Sequence, residues 1–364
     1  MKKKKLYIGF IIIFILISIG IIAGKNDKVE LLKEADFYKK LKHNLVKCEL
    51  CPNYCVLKDG ETGICKVRKN IGGKLYSLVY NQPIAIHIDP IEKKPLFHFY
   101  PKSYALSIAT VGCNLRCIFC QNWQISQTDP KDVTPDHYTP IEIVDLAKKY
   151  KCKSIAFTYT EPTIFYEYML DIAKLAREEG IKTVLVTCGY INPEPLRKLA
   201  KYIDAANVDL KGSKKFYREY TTGKVQPVLE CLKILDELGV WLEITNLVIP
   251  QANDNTDDIR QMCCWIKDNL GVSYPLHFSR FSPQYKLLNR PPTPLKTLVK
   301  AREIALEQGI KYVYIGNIST DAENTYCPHC GKLLIKREGY QISEINIENN
   351  KCRFCGEKIE GVWK

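Results

Sequence analysis

Tyr104-Ala-Leu-Ser-Ile-Ala-Thr-Val-Gly-Cys113-Asn-Leu-Arg-Cys117-Ile-Phe-Cys120 is the stretch on which the fold turns. The apolar run from Tyr104 to Thr110 has the length of a buried strand. Three thiols follow it directly, spaced C-x3-C-x2-C. Thiolates hold iron–sulfur clusters, and a cubane cluster has four irons. Three cysteines leave one iron without a protein ligand, and an open metal position is where a small molecule can bind and react.

Outward from this loop, residues 101–318 alternate short apolar runs with amphipathic ones. The expected strands are Tyr104–Thr110, Ser154–Thr158, Thr183–Thr187, Ala206–Leu210, Trp241–Ile249, Leu276–Phe281 and a closing Tyr312–Ile315. The expected helices are Ile141–Tyr150, Ile164–Glu179, Glu194–Tyr202, Val228–Leu238, Asp257–Asn269 and Leu295–Gln308. Strand–helix alternation implies an α/β fold with a parallel sheet and helical crossovers. Six such units make a partial (β/α)6 TIM-type barrel, whose ligands gather at the C-terminal ends of the strands. The cysteine loop follows the first strand and therefore falls at that end.

The other strand ends are polar. Tyr159-Thr-Glu161-Pro follows the second strand, Thr187-Cys-Gly-Tyr190 the third, and Asp209-Leu-Lys211 the fourth. Asn246 lies near the end of the fifth, and His277 opens a segment at the sixth. Each has a plainer reading. Glu161-Pro162 also suits a helix start, where the dipole favours an acid. Asp209 and Lys211 also suit an ion pair ordering the rim, Phe119 a core position, and His277 a satisfied rim histidine rather than a proton shuttle.

The chain has 16 cysteines in 364 residues. A chain this long can bury a core without disulfide staples, and clustered C-x2-C pairs read as metal sites in a reducing compartment. Cys327, Cys330, Cys352 and Cys355 form two C-x2-C-G knuckles, a closed four-sulfur site for zinc or a single iron. Cys48, Cys51, Cys55 and Cys65 are spaced C-x2-C-x3-C-x9-C, for zinc or an auxiliary iron–sulfur cluster. Cys152, Cys188, Cys231, Cys263 and Cys264 are left over and read as small buried hydrophobes.

Four lysines and an uncharged run from Leu6 to Ala23 open the chain. A run of that length falls within the roughly 17–25 residues that cross a bilayer, so a membrane anchor is expected, with a cleaved signal as the rival. The reduced thiols place the body in the cytoplasm. The formal net charge is +13, but residues 1–47 hold 11 lysines against 4 acids. Thiolate ligation would bring the remainder close to neutral. No basic-aromatic stripe is present, so nucleic acid is not indicated, and the basic segment suits anionic lipid. The organisation expected is an anchor or signal over 1–24, a basic linker over 25–47, a small N-terminal Cys-rich module over 48–100, the partial barrel over 101–320, and a C-terminal zinc-ribbon-like module over 321–364.

The cysteine loop, with its aromatic before the third thiol, resembles the signature of the radical S-adenosylmethionine (SAM) enzymes. With Thr160-Glu-Pro162, Asp209-Leu-Lys211 and Tyr314-Ile-Gly-Asn317, the body resembles the branch typified by pyruvate formate-lyase activating enzyme. The leading Cys48-Glu-Leu-Cys-Pro-Asn-Tyr-Cys55, Gly63-Ile-Cys65 and the closing Cys327…Cys355 pattern resemble the radical SAM member of the AmmeMemoRadiSam system, over residues 48–364. The resemblance implies a [4Fe-4S] cluster on Cys113, Cys117 and Cys120, and SAM on the open iron. It implies a low-potential electron donor and a 5′-deoxyadenosyl radical that takes hydrogen from a substrate. It also implies two partner proteins of that system, and admits glycyl-radical activation or a scaffold without turnover. By this resemblance Glu161 binds the SAM ammonium and Phe119 meets adenine, with Tyr159, Thr187, Asp209 and Lys211 as further cofactor contacts. Tyr159 and Thr160 stand where the family commonly has two glycines, and Cys188 where it has asparagine.

Overall fold

The computed structural model describes residues 32–364. An eight-stranded sheet organises it: β1 (Ala85–Pro90), β2 (Tyr104–Ala109), β3 (Ser154–Phe157), β4 (Lys182–Thr187), β5 (Ala205–Asp209), β6 (Trp241–Val248), β7 (Leu276–Arg280) and β8 (Val313–Gly316). The strands lie side by side in chain order. Those from β2 to β8 are parallel, while β1 runs antiparallel to β2. β8 and β1 do not pair, so the sheet stays open. Six helices make the crossovers: α1 (Pro140–Lys149), α2 (Tyr166–Glu178), α3 (Pro193–Ala200), α4 (Val225–Glu237), α5 (Thr256–Leu270) and α6 (Leu295–Glu307).

Local chemistry accounts for these elements. β3 reads Ser-Ile-Ala-Phe and is buried at every position, as a parallel strand covered on both faces must be. A capping box between Thr139 and Glu142 starts α1, and the Asn255 side chain accepts from Asp257 N and Asp258 N to start α5. α4 begins three residues before its expected start, because Pro227 falls in the first turn, where a missing N–H costs nothing. β1 was counted with the N-terminal module by sequence. It is an edge strand of the central sheet and ends on Pro90, a residue that edges tolerate.

The N-terminal module begins inside the segment read as a linker. Lys33–Glu34, Arg68–Ile71 and Lys74–Ser77 form one small sheet; Tyr38–Lys40, Val46–Cys48 and Val56–Leu57 form another. Arg68 docks the module on α2 through a 2.9 Å ion pair with Glu167, both side chains 2% exposed. Removing one partner would strand a buried charge, at a cost of about 3–5 kcal/mol.

The C-terminal module carries Leu333–Glu338 paired antiparallel with Gln341–Ile345 and is knitted to the sheet by buried polar bonds. Arg337 donates to Phe97 O at 2.9 Å and to Thr325 Oγ1 at 2.8 Å, its guanidinium 4.1 Å from the Phe97 ring centroid. His98 joins Glu360 O through Nδ1 (2.7 Å) and the Tyr314 hydroxyl through Nε2 (2.6 Å). The Glu243 carboxylate accepts from Phe97 N and His98 N and holds His277 Nε2 at 2.7 Å.

The membrane reading is corrected. Among the described residues no helix is long and apolar enough to cross a membrane. The run from Leu6 to Ala23 on which that expectation and the membrane-anchored localisation rested lies outside the described residues.

Candidate active site at the cysteine loop

The loop after β2 is fixed by its backbone. Arg116 N and Ile118 N donate to Thr221 O and Tyr220 O of the π-turn Tyr217–Thr221, each at 3.0 Å. Gly112 N donates to Ile125 O at 2.9 Å, and the Arg116 guanidinium caps Cys113 O at 2.8 Å. Gly112 takes φ +100°, and a Cβ there would stand 2.7 Å from both Cys65 O and Val67 Cγ1. Only glycine lets the loop approach the N-terminal module this closely.

Cys113, Cys117 and Cys120 line one cavity of about 490 Å³ at the C-terminal ends of the strands. Burial pushes the Cys113 thiol well above its ordinary range and the Cys117 thiol up to about 12. Thiolates at such positions need a metal's positive charge to persist. Three soft donors facing a space that continues past them fit an iron–sulfur cubane with one open corner.

Glu161, Thr187 and Cys188 come together on the cavity wall. Glu161 Oε1 accepts from the hydroxyls of Thr163 and Thr187, each at 2.6 Å, and Oε2 accepts from Cys188 N at 2.8 Å. The Cys188 thiol also donates to Oε2, at 2.7 Å; burial and that carboxylate hold it protonated, its pKa well above the usual range. The carboxylate is thus anchored from two strand ends. Its place at the start of the turn Pro162–Phe165 also satisfies the helix-start reading.

Tyr159 takes φ +64°, a left-handed backbone natural to glycine and costing another residue about 1–2 kcal/mol. The Tyr159 hydroxyl donates to Asp89, and Asn122 caps its carbonyl at 2.7 Å. Asp89 in turn holds Lys94 Nζ at 2.6 Å; Lys94 is 1% exposed, and burial lowers its ammonium to about 8.

Asp209 and Lys211 pair at 2.6 Å and both line the cavity. Burial opposes the Lys211 charge, but the Asp209 carboxylate beside it raises its pKa well above the usual value. Phe119 is 4% exposed and packs on Phe216 at 5.7 Å between ring centroids, within an apolar cluster with Ile249 and Phe281. Phe119 is itself one of the residues lining the cavity, with the rest of that cluster packed behind it. His277 and Asn246 are buried away from the cavity, the first on Glu243 and the second on Leu210 O.

Sequence reasoning missed Lys94, Tyr340 and Ser279 on this wall. Lys94 sits in a stretch assigned to another module, and Tyr340 comes from the hairpin turn of the C-terminal module. The one signal for Tyr340 was an aromatic after a turn glycine.

The two flanking thiol groups differ. Cys327–Cys355 and Cys330–Cys352 stand 3.6 and 3.8 Å apart, and all four sulfurs lie within 4.8 Å of one another. A tetrahedral ion with metal–sulfur bonds of about 2.3 Å sets its sulfurs about 3.8 Å apart. Cys48, Cys51, Cys55 and Cys65 instead line a cavity of about 20 Å³. None of the 16 cysteines is in a disulfide.

An open triad of thiols at the carboxyl ends of a parallel α/β sheet defines a metal-cofactor enzyme site. The profile of the Radical SAM superfamily matches residues 107–263, from within β2 through the thiol loop to α5. An uncharacterized protein of Methanocaldococcus jannaschii is 49% identical over 334 residues, covering 91% of this chain and all of its own. The pyruvate formate-lyase-activating enzyme of Clostridium pasteurianum is 27% identical over 217 residues, 55% of this chain and 87% of its own. The chain belongs to the radical SAM superfamily of enzymes.

Proposed function

We propose that Cys113, Cys117 and Cys120 hold a [4Fe-4S] cluster and that the cavity beyond them binds SAM and a substrate from which hydrogen is taken. The observation that carries this reading is the convergence of the three thiols, Glu161 and the Asp209–Lys211 pair on one cavity. When bound, a reduced cubane there supplies one electron to the sulfonium of SAM, and cleavage yields a 5′-deoxyadenosyl radical. The chain's own part is to bind and orient. Glu161, its oxygens fixed by Thr187 and Cys188, offers negative charge to the SAM ammonium. Lys211 and Asp209 offer opposite charges to carboxylate and ribose, the strand-end backbone at Tyr159 and Thr187 lines the path between them, and Phe119 closes the adenine side. Tyr340 and Lys94 stand on the same cavity wall, where they contact substrate and exclude water.

The C-terminal sulfurs, at tetrahedral spacing, hold zinc as a structural site. A second reading, activation of a glycyl-radical protein, is favoured by the relative named for that activity on pyruvate formate-lyase. The finer likeness to the AmmeMemoRadiSam system, with its two partner proteins, rests on the flanking cysteine patterns alone.

Anaerobically reconstituted protein, reduced and given SAM, should form 5′-deoxyadenosine, and Cys117→Ala should form none. Cluster-replete protein without SAM cleavage would refute the enzyme reading. A glycyl-radical EPR doublet on added apo pyruvate formate-lyase would establish the second reading, and its absence alongside intact SAM cleavage would remove that protein as the target.

A further inference from the structure

Four thiols outside the proposed catalytic centre surround a space of their own. Cys48, Cys51, Cys55 and Cys65 line the cavity of about 20 Å³ together with Arg68, Asn114 and Ile164. That is more room than the 10–15 Å³ one water needs, whereas a single tetrahedral ion draws its sulfurs into contact with no void between them. The molecule contains its own standard for each case. The C-terminal sulfurs are all within 4.8 Å of one another; among the described residues no other set of three metal-ligating side chains gathers so closely. The N-terminal thiols, like Cys113, Cys117 and Cys120, are therefore spaced more widely than that single-ion set. A cubane produces such spacing, because each thiolate binds a different iron at its own corner.

A second observation points to an occupant. Arg68 is 2% exposed and lines the cavity. Its Nη atoms are engaged by Glu167 and Asp36 O, while its Nε has no partner. An N–H left over in a thiol-lined space suits the sulfides and thiolates of a cluster, which accept such hydrogen bonds and shift potential in response. Four protein ligands leave no iron open, so the chemistry is electron transfer.

The wall between the two thiol sites is one chain thick. Asn114 lines the outer cavity while its neighbours Cys113 and Leu115 line the inner one. Asn53 Nδ2 donates to Asn114 O at 2.8 Å, and the close approach at Gly112 is to the carbonyl of Cys65. Cys51 and Cys55 are partly exposed on the outer side.

We propose that Cys48, Cys51, Cys55 and Cys65 hold a second [4Fe-4S] cluster that passes single electrons to the centre at Cys113, Cys117 and Cys120. The outer cluster loses one electron as the inner gains one, and a low-potential one-electron carrier protein reduces the outer cluster again. The relay rests on the catalytic reading above; the outer cluster itself does not.

The test uses the full chain, reconstituted anaerobically, with Cys113, Cys117 and Cys120 all changed to Ala. This variant should keep about four irons and about four sulfides of the wild type's eight of each. Its reduced EPR signal should not respond to SAM. Loss of all iron with a second equivalent of zinc would overturn the outer cluster. A wild type with about four irons, all surviving in the variant, would instead overturn the inner site and leave the outer one standing. For the relay, Cys51→Ala/Cys55→Ala should lower SAM cleavage driven by reduced flavodoxin about tenfold or more, but cleavage driven by dithionite less than about twofold. Equal loss with both donors would overturn the relay. The triple variant leaves the N-terminal module intact, so its iron count decides the site even if the double variant fails to fold.

Discussion

Two four-cysteine modules flank the same sheet and are built in opposite ways. In the C-terminal module the sulfurs touch, 3.6 and 3.8 Å apart in pairs. In the N-terminal module they stand back around a cavity, with an arginine donor left over beside them. Both sets contain C-x2-C knuckles, so motif alone does not separate them. Spacing in three dimensions does, because one ion gathers ligands to a point and a cluster spreads them over its corners.

The largest effect that sharpens this contrast is expected at the C-terminal site. Cys352→Ala/Cys355→Ala should remove one zinc and unfold the module, since structural zinc contributes about 10–16 kcal/mol in small domains. The catalytic iron should remain. Zinc content by mass spectrometry together with thermal unfolding reads this, and unchanged zinc would break the contrast. Gly112→Ala should come next, at about 2–4 kcal/mol, from a forced overlap with Cys65 O and a left-handed backbone. Denaturant unfolding measures it. If the two thiol sites are built on each other, both iron populations should fall in that variant.

The C-terminal seam also sets a pH dependence. Burial lowers the His98 imidazole from 6.5 to about 4. With the folded value below the unfolded one, the unfolded chain takes the proton first as pH falls. Stability is therefore complete above about pH 6.5 and is lost between about 6.5 and 4, by about 3 kcal/mol for this group. The neutral ring is required: Nδ1–H donates to Glu360 O, while Nε2 accepts from the Tyr314 hydroxyl. His98→Gln should flatten that part of the pH–stability curve; an unchanged slope would count against the seam. The smallest effect expected is at Glu161→Gln, which keeps the shape and removes the charge, and should weaken SAM binding about tenfold by isothermal titration. Unaltered affinity would leave Glu161 as a helix start only.

Much of the architecture was legible because strand–helix alternation and caps are local signals. Seven parallel strands and six helices follow the expected order, and the thiol loop falls at the carboxyl ends. β1 was not legible, since Ala-Ile-His-Ile-Asp-Pro is a short edge segment whose partner is chosen by tertiary contact. At the site, the meeting of Glu161 with Thr187 and Cys188 was foreseen only as neighbouring strand ends. That Cys188 would bond the carboxylate, and that Tyr159 would keep a glycine-like backbone, depends on three-dimensional closure. Phe119 combines the two readings its motif position allows: its ring packs in an apolar cluster and it also lines the cavity. Lys94 and Tyr340 reach the cavity from flanking segments, and no periodicity reports a long-range approach.

If the triad at Cys113, Cys117 and Cys120 leaves one iron open to SAM while any four-thiolate site beside it is closed, SAM should perturb one cluster and no other. EPR of the reduced protein, recorded with and without SAM, tests it most directly. One cluster component should change on adding SAM, and that component should be missing from Cys117→Ala. A spectrum in which SAM alters no component would contradict the claim.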